Sequence, residues 1–521
     1  MKHLSGLDAS FLHLETPEMP MHVGALHLLD APDAALHAGD DVGDTVRRHI
    51  AERLHLAQLL TKKLAFMPLD IANPVWVDDD DPDLDYHIGQ VSLPKPGTQV
   101  QLEAAVARLH SVLLDRSRPL WEFYVITGLR SGQTGFYTKI HHAALDGQGA
   151  MVLAQALLDV TPVPRAVPSP PPRQRAPYQP PVSRLLRAAL ADTLTQCARL
   201  VKGVPSGIRV AAALLGRNEE GERRASWPSL APRTPLNGSI TNQRAFAAVT
   251  VDLKQALAVS KVFACTLNDV VLAMVSGALR DYLDAHDALP DEPLVAAVPV
   301  SLRAGGDTEM NNQVSMMLMK IGSDEADPAD RLRAVAAASG KMKKTVADVK
   351  SVLPTEFPSL GVPWMMSTLV SLYGRARLAD KMAPVANVVV SNVPGARLPL
   401  YLAGARVTAS FPVSIVTHGL GLNVTVQSYN GALDIGIVAC RRAMPDIALF
   451  AAAMVRAHED LVAAAMQQQA GEQAAASHVA PRPAVKRARK PSAAKAPAAR
   501  PAPDKPAPAT PKRRARKPVA A

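Results

Sequence analysis

The stretch "FYTKIHHAALDGQGAMVLAQALLDV", residues 136–160, changes period half-way along. Up to the adjacent histidines His141 and His142 it alternates as a strand does. From Gln148 to Asp159 its apolar residues recur at helical spacing. "WEFYVITGL" (121–129) before it is a second alternating run, and the turn "RSGQ" (130–133) joins the two. His141, His142, Asp146 and Gly147 therefore fall where a strand ends, a short loop follows and a helix begins.

Outward from this point the chain reads as α/β (α+β). In the N-terminal direction "GALHLLD" (24–30) has strand alternation, and "DTVRRHIAERLHLAQLLTKKLA" (44–65) and "LEAAVARLHSVLLD" (102–115) have helical spacing. Residues 161–181 hold nine prolines, a semi-rigid linker. It leads into an amphipathic helix at 183–204, which suits either a membrane interface or the surface of a globule. In the second half "FAAVTVDL" (246–253), "LVAAVPVSLR" (294–303), "QVSMMLMKIG" (313–322) and "VANVVVSNVPGA" (385–396) are predicted strands. "GLNVTVQSYNGALDIGIVA" (421–439) is a hairpin turning at Asn430-Gly431. "TLNDVVLAMVSGALRDYLDAH" (266–286) is a helix with Thr266 and Asp269 spaced as a capping box, and a last helix opens at Pro445.

Composition sets bounds. A chain of 521 residues with 48% apolar content exceeds one ordinary core and predicts two domains with appendages. The net charge of +10 is carried by residues 481–521, where 13 Lys and Arg face the single acid Asp504. That Ala/Pro/Lys/Arg tail has no aromatic residue and is expected to be disordered. Its charge suits anionic lipid, or non-specific contact with nucleic acid; without aromatics for base stacking, sequence-specific nucleic-acid binding is not expected. Cys197, Cys265 and Cys440 match no disulfide or zinc spacing, and "MKHLSGLDASFLHLE" lacks the apolar core of a signal peptide. No window supplies about 18 to 20 charge-free apolar residues. A cytoplasmic protein able to lie on a membrane is expected.

The histidine pair admits several chemistries. Zinc needs three or four donors, yet there is no HExxH and no cysteine cluster, so no metal site is expected. A serine hydrolase is disfavoured by the lack of GxSxG, and nucleotide binding by the lack of GxGxxG after a strand or a P-loop. Each residue also has a structural reading. His141 alternates with Lys139 and suits the inner face of a strand; Asp146 suits a helix N-cap, and Gly147 a tight turn. Together they suit a general base, since an imidazole accepts a hydroxyl proton near neutral pH.

HHxxxDG, here His141, His142, Asp146 and Gly147, resembles the signature of the CoA-dependent acyltransferases typified by chloramphenicol acetyltransferase and condensation domains. Further stretches narrow the likeness to the bacterial wax ester synthase/diacylglycerol acyltransferase family: "LSGLDASFLHLETPEMPMHVGALHLLD" (4–30), "DLDYHIGQVSLPKPG" (83–97), "SRPLWEFYVITGL" (117–129), "APRTPLNG", "LNDVVLA", "PVSLR", "NNQVS", "SNVPGA" and "HGLGLNVTVQSYNGALDIG". Asn311 and Ala396 depart from the pattern where Gly and Pro are commoner.

The resemblance implies two chloramphenicol-acetyltransferase-like halves, each with a mixed sheet, and a tunnel between them. Residues 1–160 and 231–470 are the halves, 161–230 the linker with its helix, and 471–521 the tail. It further implies His142 as general base and His141 at the strand end. Asp146 is implied to be a structural residue, with Arg303 as its ion-pair partner. Pro119, Leu120 and Trp121 are implied to line an acyl or CoA channel, with Asn268 and Asp269 as support from the second half; for those two a helix cap is the structural alternative. The implied reaction moves a long-chain acyl group from acyl-CoA to diacylglycerol or a fatty alcohol, at a membrane or lipid-droplet surface, with no cofactor. Alternatives are a carrier-protein-dependent acyltransferase or condensation enzyme, and a non-catalytic binding protein that uses its basic tail.

Overall fold

A computed structural model describes residues 2–4, 6–30, 41–67, 73–145, 147–169, 231–301, 314–349 and 371–478. Asp146, Arg303, Asn311, the helix expected at 183–204 and the tail from 479 lie outside the described residues. Residues 1–471 form one compact unit; of the second, from Glu472 onward, only a helical stretch to His478 is described.

In chain order the first part contains β1 (Lys2–His3), α1 (Gly6–Leu14), β2 (His22–Leu29), α2 (Val42–Arg53), β3 (Lys62–Ala65), β4 (Val75–Asp78), α3 (Leu84–His87), β5 (Ile88–Ser92), α4 (Gln99–His110), β6 (Trp121–Thr127), β7 (Thr134–His141) and α5 (Gly147–Leu157). The later part contains β8 (Arg244–Asp252), α6 (Leu253–Val262), α7 (Leu267–Asp284), β9 (Val295–Ser301), β10 (Val314–Lys320), α8 (Pro328–Val349), β11 (Val388–Pro394), β12 (Tyr401–Leu402), β13 (Ala405–Val413), β14 (Leu422–Tyr429), β15 (Ala432–Cys440) and α9 (Ile447–His478).

Two six-stranded mixed sheets organise these elements, in the orders β12-β13-β2-β7-β6-β5 and β10-β9-β11-β14-β15-β8. The α/β class and the two-sheet architecture agree with the sequence. β5 runs parallel to β6, and β11 parallel to both β9 and β14, while the other pairs within the two sheets are antiparallel. The hairpin turns at Asn430-Gly431 with Tyr429 opposite Ala432, and both turn residues have positive φ, as a tight hairpin needs.

Two expectations are corrected. The helix over 44–65 stops at Arg53, and residues 62–65 are instead β3, paired with β4 from Lys62 opposite Asp78. Ala57 is already extended, and the Leu60 carbonyl accepts the Trp121 indole N–H at 3.0 Å. Strand pairing and a long-range hydrogen bond override the local helical spacing. Second, β12 and β13, which lie within 231–470, belong to the first sheet: β13 lies antiparallel to β2, with Phe411 opposite Leu26.

The crossing strand is seated by the second sheet. Asp434 Oδ2 accepts the Ser410 N–H at 2.7 Å, and its Oδ1 accepts the Thr250 hydroxyl at 2.8 Å. A Cβ on Gly436 would lie 1.6 Å from the Pro412 carbonyl oxygen, so only glycine lets β13 pass this close to β15. A core shared by both parts results, joining Leu26, Ile126 and Tyr137 to Phe246, Phe411 and Val438.

The larger core packs α7 and α9 on the second sheet, with Val271, Leu272, Met274 and Phe450 fully buried. Among the described residues no single helix is long and apolar enough to cross a membrane. The bent pair α6 and α7 meets the requirement by length and composition, but α7 is buried on nearly every side.

Candidate active site

Backbone hydrogen bonds from three places hold the histidine pair at the end of β7. The His141 N–H donates to the Leu120 carbonyl at 2.9 Å, the His142 N–H to the Met21 carbonyl at 2.8 Å, and the Ala144 N–H to the His141 carbonyl at 2.9 Å. α5 then starts at Gly147, the strand-loop-helix read from the sequence.

The two imidazoles have different surroundings. His141 is fully buried, and its Nδ1 accepts the Ala143 N–H at 3.0 Å. Its ring hydrogen is therefore on Nε2, which lies 3.2 Å from Glu15 Oε2. His142 is half-buried, and its ring stacks on Phe11 with centroids 4.0 Å apart and planes 12° from parallel. Of the pair, His142 is the one with surface to offer a substrate.

Glu15 was not singled out from the sequence. Its side chain is 2% exposed, yet both oxygens are engaged: Oε1 accepts from Arg116 Nε at 3.0 Å and Nη2 at 2.7 Å, and Oε2 accepts the Met21 N–H at 3.0 Å. Burial acts to raise its pKa, but His141, Arg116 and the Met21 N–H outweigh that and bring it down to about 2. The only trace in the sequence is that Phe11 and Glu15 are four apart on an amphipathic stretch.

Below the pair lies a buried polar layer. Lys139 shares the face of β7 with His141 and donates to Glu122 Oε2 at 2.9 Å; Glu122 also accepts from the Tyr124 hydroxyl at 2.6 Å. Burial draws the Lys139 pKa down, opposed by Glu122. His22, opposite His141 in the sheet, donates to the His110 carbonyl at 2.6 Å. His110 in turn donates from Nε2 to the Ser414 carbonyl at 3.0 Å and accepts the Tyr137 hydroxyl at 2.7 Å.

Pro119, Leu120 and Trp121 lie beside the pair without the expected channel surface. All three are buried. Trp121 is completely enclosed, stacked on His87 with centroids 4.2 Å apart. The Leu120 side chain packs on Ala143 and Leu12, while its carbonyl holds His141. The reason is the pleat: Trp121 is opposite Ile140, so its ring goes to the face of the sheet away from His141.

Asp269 forms the capping box with Thr266, its Oδ2 accepting the Thr266 N–H at 2.9 Å and hydroxyl at 2.7 Å, and Asn268 is half-buried beside it. Those bonds realise the helix-cap reading. The ion pair expected between Asp146 and Arg303 lies outside the described residues.

Residues 4–271 match the wax ester synthase/diacylglycerol acyltransferase catalytic domain, and residues 310–461 match the C-terminal domain of the same family. The chain belongs to the wax ester synthase/diacylglycerol acyltransferase family. A Mycobacterium tuberculosis protein named provisionally as a diacylglycerol O-acyltransferase is 38% identical over 444 residues, 85% of this chain and 96% of the relative. The O-acyltransferase WSD of Acinetobacter baylyi is 33% identical over 462 residues, 85% of this chain and 93% of its own. Among solved structures, the wax ester synthase/diacylglycerol acyltransferase from Marinobacter aquaeolei VT8 superposes with a TM-score of 0.63 at 30% identity, covering 89% of this chain and all of that one. This family member is an acyltransferase, and HHxxxDG falls within its catalytic-domain match.

Proposed function

We propose that the chain transfers a long-chain acyl group from acyl-CoA to diacylglycerol or a fatty alcohol, with His142 as general base. The observation that carries the reading is the half-buried His142 ring, steadied on Phe11, beside a partner histidine that is fully enclosed. His142 takes the proton of the acceptor hydroxyl as its oxygen attacks the thioester carbonyl. The C–O bond forms, the C–S bond of the tetrahedral intermediate breaks, and the proton passes to the departing CoA thiolate. No acyl-enzyme and no cofactor beyond the acyl-CoA co-substrate enter the scheme. On this reading the acceptor binds where water is kept from the thioester, which favours ester synthesis over hydrolysis.

Purified protein given palmitoyl-CoA with either hexadecanol or diolein is expected to form ester, and His142→Ala to lose at least about a hundredfold in rate. Folded protein that makes neither ester, or a His142→Ala variant at full rate, overturns the proposal.

The same reading places the enzyme in the cytoplasm, at the inner membrane or a lipid inclusion, through its basic tail. Co-sedimentation with anionic liposomes is expected for the full chain and weaker for residues 1–478. Equal binding by the two removes the tail from recruitment.

A further inference from the structure

We propose that Glu15, together with Phe11 one helical turn before it, is the positioning residue that sets the histidine pair for acyl transfer. This inference rests on His142 being the base, and it adds the group that holds it. Phe11 and Glu15 are spaced so that one face at the end of α1 meets both rings. Phe11 stacks on His142, and Glu15 faces the Nε2 of His141. Glu15 also reaches His142 through the backbone: its Oε2 accepts the Met21 N–H, and the Met21 carbonyl accepts the His142 N–H. One buried carboxylate thus fixes the side chain of the first histidine and the main chain of the second.

The carboxylate is itself anchored. Arg116 grips Oε1 with two nitrogens, and the same guanidinium donates to the Leu12 carbonyl at 2.8 Å, fastening the end of α1. Charge matters here as well as shape. His141 Nε2 lies 3.2 Å from the carboxylate and the Arg116 guanidinium donates to it, so an amide in its place would set a donor against donors. Loss of the anion would also leave Arg116 uncompensated near an imidazole that must accept a proton. Among the described residues, His22 on β2 and Lys139 on β7 also lie beside the pair, the latter already matched by Glu122.

The test compares Glu15→Gln, Phe11→Leu and His142→Ala with the unaltered full chain, using palmitoyl-CoA and hexadecanol. For Glu15→Gln we expect kcat to fall about a hundredfold, since misplacing a reacting group by an ångström costs that much. KM for both substrates is expected to stay within about threefold, because no substrate contact is removed. The acid limb of the kcat profile is expected to move down by roughly half a pH unit, because a nearby anion favours the protonated imidazole. Phe11→Leu keeps the apolar packing and loses the stacked ring; kcat is expected to drop about tenfold with KM unchanged.

Glu15→Gln with unaltered kcat and acid limb, alongside an inactive His142→Ala, overturns the positioning role and leaves the base assignment standing. A His142→Ala variant at full rate removes the base assignment itself. A fall in kcat with an unmoved acid limb and a parallel rise in KM assigns Glu15 to folding alone, and also overturns the proposal. If Glu15→Gln does not fold, Phe11→Leu decides: reduced kcat at unchanged KM supports the clamp, and an unaltered kcat overturns it.

Discussion

Trp121 and His141 stand on opposite faces of one strand pair, and that parity assigns their work. On β6, Trp121, Phe123 and Val125 enter the outer core with Phe136 and Ile140 of β7. Glu122 and Tyr124 turn to the face of Lys139 and His141. Trp121→Phe removes the indole hydrogen bond to Leu60 and leaves a small void. It is expected to cost about 1 to 3 kcal/mol in urea unfolding, with KM for palmitoyl-CoA unaltered. A raised KM at unchanged stability would return Trp121 to the substrate channel. The stretch "SRPLW" showed family likeness in the sequence, but its contribution to the site, the Leu120 carbonyl beneath His141, depends on strand pairing and is not written in the residue types.

At the level of elements, the junctions are made by polar side chains on exposed backbone. β8 ends the second sheet, and its free edge is covered by α4: Gln99 donates to the Ala248 carbonyl at 2.9 Å, and Glu103 accepts the Ala248 N–H at 3.0 Å. "APRTPLNG" acquires a similar reason. The Asn237 amide donates to the Ala386 and Gly419 carbonyls at 2.7 and 2.9 Å, and Asn387 donates to Asn237 Oδ1 at 2.9 Å while accepting the Val295 N–H. Both asparagines are buried, so they close loops that would otherwise leave backbone groups without partners. Two glycines give opposite expectations by the same measurement. Gly436→Ala sets a methyl against the Pro412 carbonyl and is expected to cost about 3 kcal/mol. Gly340→Ala, with open space inside α8, is expected to add about 0.5 to 1 kcal/mol.

For the whole molecule, the buried histidines predict how stability responds to acid. His22 and His110 are enclosed between the sheets. Burial lowers both pKa values from the ordinary 6.5, that of His22 far below it and that of His110 to about 3. The unfolded chain takes up protons at these positions from pH 6.5 downward while the folded chain does not. Their contribution is therefore full above pH 6.5 and is lost as pH falls toward the folded values. Urea unfolding is expected to show about 4 kcal/mol less stability at pH 5 than at pH 7 from these two alone. Glu15 follows the same direction in a lower window, between its ordinary value of 4.5 and about 2. A flat stability profile from pH 7 to 5 contradicts the enclosed, neutral state of the two histidines.

The sequence alone determined what is local. Periodicity gave the strand, loop and helix around His141 and His142, spacing gave the capping box of Thr266 and Asp269, and Asn430-Gly431 gave the hairpin, because each rests on groups a few residues apart. The order of the motifs gave the family. Tertiary structure alone decided that β13 pairs with β2, where the Thr408 hydroxyl meets the Leu28 carbonyl across 380 residues of chain. It also decided that the helix after Val42 breaks to supply β3, and that a carboxylate at the end of α1 lies against the first histidine. Strand partners and buried ion pairs are chosen by which surfaces meet once the sheets stack, and no local pattern encodes a partner so far away.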